Sequence, residues 1–119
     1  GQLVGHSATS ELFMTDMLFN RVDVLDMGRL ERTRSLDLDY TPRAIEIDAS
    51  RDLLMVGSWT DGAVWFYRLS TLEPLNLSVS VGPNLRDFEI DPTRGLLFTG
   101  SACGVYQVHL DAILGKQAQ

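Results

Sequence analysis

His6, His109 and Cys103 are the residues of this chain best suited to nucleophilic or metal chemistry. A thiol becomes a nucleophile through a base beside it, and neither histidine stands at a spacing from Cys103 that implies such a pair. One thiol and two histidines without ligand spacing do not make a zinc set. The lone cysteine reads as a small hydrophobe, and it can form no intramolecular disulfide. Asp23, Asp26, Asp37 and Asp39 offer carboxylate oxygens. Calcium, however, wants roughly six to eight oxygens converging from loops, and these acids read more simply as solvated strand edges. Nothing in the chain matches GxSxG, HExxH, a P-loop or a dinucleotide fingerprint. The sequence therefore predicts no catalytic residue, no metal site and no cofactor.

Recognition chemistry has better candidates. Phe19, Tyr40, Arg43, Trp59, Asp61 and Arg86, with Met17 beside them, fall in or next to turn-rich segments. Aromatic side chains combined with arginine mark binding hot spots. Arg43 and Arg86 could clasp an anion, or bond to loop carbonyls and to acids such as Asp48. Trp59, next to the turn "TDG", reads either as a binding anchor or as packing between sheets. Such residues act together only if the fold gathers them on one face.

The chain has 119 residues, 45% hydrophobic and 22% charged, with a formal net charge of −6. That profile belongs to one ordinary globular domain. An acidic balance argues against nucleic acid and against an anionic membrane surface. No apolar run is long enough to span a membrane, and no signal-peptide pattern is visible. Asn76-Leu77-Ser78 fits the glycosylation sequon, which arises easily by chance.

The elements follow from a repeat. "PRAIEID" at 42–48 is echoed by "LRDFEID" at 85–91, an interval of 43 residues. Leu53-Leu54 and Gly57-Ser58 recur at the same interval as Leu96-Leu97 and Gly100-Ser101. At 42 residues, Val22 and Val24 match Val64 and Phe66. A period in the forties indicates propeller blades or helical solenoids. Within the unit, Ala44-Ile-Glu-Ile-Asp48 alternates apolar and polar residues, the period of a strand. "LLMVGSW" and "AVWFYRL" read as buried strands, and "DASRD", "TDG", "VGPN" and "DPTRG" as turns. The expectation is an all-β chain of ten strands: 12–17, 21–26 and 34–39; 43–48, 53–59, 63–69 and 75–81; 86–91, 96–101 and 104–110. Residues 8–19 also carry an amphipathic helical pattern, but the repeat register favours strand. Blade one would span about 11–39, blade two 43–81 and blade three 86–110, with a tail at 111–119. Blade one would lack its first strand and blade three its fourth.

"YTPRAIEIDASRDLLMVGSWTDGAVWFYRLSTLEPL" resembles the YVTN-type repeat, kin to NHL repeats, over roughly residues 11–110. Pro42, Arg43, Ile45, Ile47 and Asp48 fit the opening of that pattern, and Val64 and Phe66 its third strand. Arg68 and Leu110 depart from it where Asp26 conforms, Leu85 replaces the proline, and the WD40 dipeptide is missing. The resemblance implies consecutive four-stranded antiparallel blades of a β-propeller. Members of the family are binding scaffolds, surface-layer proteins and a minority of enzymes, so an extracellular or periplasmic location is compatible with it. Fold likeness alone does not choose among these functions.

Ten strands make an incomplete propeller. The favoured expectation is therefore association with further blades or with a second copy, with "GQLVGH" lending an outer strand to a neighbour; a compact sheet stack with a nonstandard cap is the remaining alternative. In meander geometry the loops 17–20, 40–43, 59–62, 82–86 and 101–104 share one face, which collects the candidate residues. The leading functional expectation is a noncatalytic module that binds a protein or another ligand there. The alternative is part of a lactonase- or lyase-like propeller enzyme whose catalytic blades lie outside this chain.

Overall fold

The computed structural model describes residues 2–117. Three antiparallel sheets follow one another along the chain. The first is β1 (Leu3–His6), β2 (Glu11–Asp16), β3 (Arg21–Asp26) and β4 (Arg32–Asp37). The second is β5 (Pro42–Asp48), β6 (Leu53–Ser58), β7 (Ala63–Arg68) and β8 (Pro74–Ser80). The third is β9 (Asp87–Asp91), β10 (Leu96–Ser101) and β11 (Gly104–His109), and it leads directly into the helix α1 (Leu110–Gln117). In every sheet the spatial order is the chain order, so each is a simple meander.

The two-residue period of strands explains the stacking. All six residues of β6 are buried. Leu54 and Val56 pack with Phe13, Val22 and Val24 of the first sheet. Leu53 and Met55 turn the other way, toward Phe88, Leu97 and Val108 of the third. A strand covered on both faces has no polar side to show, which is why "LLMVGS" does not alternate. Gly57 lets the third sheet close in, because a β-carbon there would overlap the Leu85 and Phe88 side chains. At Gly62 the backbone takes φ +66° and lies against the Gly82 carbonyl, leaving no room for a side chain. Gly62 in turn accepts a 2.7 Å hydrogen bond from the Val81 N–H.

Several expectations are corrected. Among the described residues there are eleven strands, because "GQLVGH" contributes β1 to its own sheet, in register from Leu3↔Met14 to His6↔Glu11. The turn at residues 7–10 makes this hairpin the shortest closure, and the Gln2 N–H donates to the Thr15 hydroxyl at 2.7 Å to fix it. The first sheet thus has its first strand and begins before residue 11. β4 runs from Arg32 to Asp37 rather than 34–39, since Leu30 adopts a left-handed φ of 56° and a bulge follows Val24. The other strand ends fall within one residue of expectation, and β3 and β10 match at both ends. Within the 111–119 tail, α1 takes up residues 111–117, and Ile113 and Leu114 pack onto the core between the second and third sheets. Residues 8–19 hold β2, the strand that the repeat register favours over the helical pattern.

Candidate functional site

Backbone hydrogen bonds gather one end of the three sheets. The Trp59 N–H donates to Thr41 O (2.9 Å), Leu85 N–H to Trp59 O (3.2 Å) and Arg86 N–H to Gly100 O (2.9 Å). Across the molecule, the Gln2 side-chain amide donates to Arg86 O and to Asp87 Oδ1, both at 2.9 Å. The starts of β1, β5 and β9 and the ends of β2, β6 and β10 therefore lie at the same end.

The turn from Met17 to Asn20 is the most exposed apolar feature there, with Leu18 83% and Phe19 63% exposed. It is also held by side-chain contacts. Asp16 Oδ1 accepts the Leu18 and Phe19 N–H groups at 3.0 and 3.1 Å, an Asx-type clasp. The Arg21 guanidinium lies 5.0 Å from the centre of the Phe19 ring, at cation–π distance. Trp59 is 42% exposed, and Asp61 and Arg86 are exposed beside their turns. The Thr60 hydroxyl donates to Asp61 at 2.9 Å and holds its carboxyl below the ordinary range. Arg43 is half-buried, and its Nε is covered without a hydrogen-bond partner. Met17 is half-buried as well.

Tyr40 has a different setting from the exposed loop residue expected. It is half-buried between the first two sheets, its ring stacked on Trp65 with centroids 6.0 Å apart. Its hydroxyl and that of Tyr67 are 2.7 Å apart. Burial, then the neighbouring Tyr67, pushes the Tyr40 phenol far above its usual pKa. Burial also raises Tyr67. These rings line a cleft of about 440 Å³ with Leu36, Asp37, Asp39 and Asn76. Sequence reasoning missed Trp65 and Tyr67 as site residues. The signal was the alternation Leu36, Leu38, Tyr40, which turns Tyr40 inward with its two predecessors.

The four aspartates separate into two pairs. Asp23 is buried against Arg21 Nε at 2.8 Å, with Arg32 at 3.6 Å. Asp26 accepts the Gly28 and Arg29 N–H groups at 2.9 Å. The Arg29 bond leads in lowering its pKa. Both are structural. Asp37 and Asp39 stand exposed at the cleft. Among the described residues no group of three or more His, Cys, Asp or Glu could hold a metal ion. Cys103 is exposed and free. No helix among the described residues is long and apolar enough to cross a membrane.

The opposite end carries a polar lock that the sequence did not reveal. Arg51 donates to the buried Asp48 (2.8 Å), to Pro92 O (2.8 Å) and, through two nitrogens, to Asp111 (2.9 and 3.1 Å). It ties the second sheet to the third and to α1. No family model matches the sequence, and a search of curated proteins found no match.

Proposed function

We propose that the three sheets are blades of a partial β-propeller of the YVTN/NHL kind, and that the chain is a noncatalytic module binding a protein partner at the end that carries the 17–20 and 59–62 turns. Support for the blade reading is the meander order of each sheet, with the first strands β1, β5 and β9 side by side. The observation that carries the binding reading is the clasped turn presenting Leu18 and Phe19 to solvent. A large apolar pair already fixed in place loses little entropy when a partner covers it. Arg21, Trp59 and Arg86 supply the aromatic and cationic character that interface cores favour. Further blades or a second copy are natural additional partners, since β11 has an unpaired edge with Val105 78% and Tyr106 43% exposed.

The test is selection of binders from a displayed random-peptide library on the immobilised protein. Selected peptides should lose at least about tenfold in affinity toward the double variant Leu18→Ser/Phe19→Ser. Binders that ignore this variant, and Trp59→Ser as well, would refute the loop-end reading.

A further inference from the structure

The cleft between the first and second sheets uses other side chains and has a distinct chemistry. Its walls come from Tyr40, Trp65 and Tyr67, and its rim carries the carboxylates of Asp37 and Asp39. Tyr40 and Trp65 are stacked 19° from parallel with centroids 6.0 Å apart, and both line the cleft. Neither Asp37 nor Asp39 forms an ion pair among the described residues. The Tyr40 and Tyr67 hydroxyls are hydrogen-bonded to each other at 2.7 Å, which holds the two rings of the cleft together.

We propose that this cleft binds an organic cation, a guanidinium or alkylammonium group. Aromatic faces attract cations through their quadrupole, and more so where water is partly excluded. The two carboxylates add charge of the matching sign. A neutral apolar ligand would gain the rings but would desolvate the acids without compensation. A bare metal ion would meet only two carboxylates in a space of about 440 Å³, far from a closed oxygen cage. The net charge of −6 draws cations toward the molecule as a whole. The favoured source is a basic side chain on an extended peptide, because β4 and β8 are both edge strands with free backbone groups flanking the cleft. A free small cation is the other source of the same chemistry.

Calorimetry and NMR on the whole chain test this. The probes are acetyl-Thr-Val-Arg-Val-Thr-amide, the same peptide with citrulline for arginine, and acetyl-arginine methylamide. The chain has two tryptophans, so two indole N–H resonances separate the cleft from the loop end. The arginine peptide should shift the Trp65 resonance rather than that of Trp59, and bind at least about tenfold more tightly than its citrulline twin. Asp37→Asn/Asp39→Asn, at exposed positions, should leave the fold intact by circular dichroism and abolish that preference. An advantage of the peptide over acetyl-arginine methylamide assigns the cation to a polypeptide, and equal affinities assign it to free small cations. Equal binding of the arginine and citrulline peptides, no response at millimolar probe, or an undiminished preference in the double variant would overturn the proposal. Because the loop-end reading is tested at Leu18 and Phe19, the two can fail separately.

Discussion

Replacing Arg51 by methionine keeps its aliphatic stem and removes only the guanidinium. The Asp48 side chain, fully buried, would lose its one cationic partner. It would keep the Ser50 hydroxyl at 2.5 Å and the Arg51 N–H at 3.3 Å. The Pro92 carbonyl would lose its 2.8 Å donor. Breaking a fully buried pair from one side costs about 3–5 kcal/mol. The Arg51 side chain is 17% exposed, and two donors remain on Asp48, so the expected loss is about 2–3 kcal/mol. Asp111, 73% exposed, adds little to this because solvent screens it. For a chain of this length the loss lowers Tm by about 10 °C. Urea and thermal unfolding followed by circular dichroism measure it. Arg51→Lys should fall between, since one ammonium cannot reproduce the planar fork that reaches three partners. A loss below about 0.5 kcal/mol for Arg51→Met, or a lysine variant equal to the parent, would refute the view that this residue locks the sheets and α1 together.

Three other outcomes are expected. Gly62→Ala should cost roughly 2–4 kcal/mol in urea unfolding, because the left-handed φ and the Gly82 carbonyl both exclude a side chain; a neutral effect would show that the two turns move apart freely. Burial, aided by Glu89, raises the pKa of Glu46 above its ordinary 4.5, so the carboxyl favours the fold below its unfolded pKa and loses that contribution as pH rises through the folded value. Glu46→Gln should therefore be more stable than the parent at pH 7 by roughly a few tenths of a kcal/mol, with the difference gone near pH 4; stability curves against pH decide, and a destabilised variant at pH 7 refutes the assignment. Light scattering on a size-exclusion column should give a concentration-dependent mass above the 13.2 kDa of one chain, and a sharp, concentration-independent monomer peak would exclude self-association.

The core strands were legible because burial on one or both faces writes a period of two or an apolar run. Ile45 and Ile47 are on the expected strand, and so are Leu53 to Val56 and Val64 to Phe66. β1 was not legible as part of its own sheet: four residues that include Gly5 carry too little alternation to declare a register. α1 follows β11 without a capping residue or a break, so its helix came unannounced. Phe19, Trp59, Asp61 and Arg86 could be assigned to turns from local chemistry alone. The cleft needed more, because Tyr40 meets Trp65 and Tyr67 only when two sheets stack. The Arg51–Asp111 pair joins residues 60 apart, and no local pattern reports such a distance.

Each sheet pairs only strands adjacent in the sequence, while the sheets meet across long separations. This makes the molecule a short one-dimensional array, with each meander a foldon coupled to its neighbours. The middle meander has two such couplings and the outer ones a single large apolar interface each. Opening should then run inward from the ends, and the amides of β6, shielded by β5, β7 and both adjoining sheets, should exchange with solvent most slowly. The bridge from Gln2 to Asp87 spans 85 residues and touches both outer meanders. It gives the array a closing contact that forms late, after both ends are in place, and links the fraying of one end to the other.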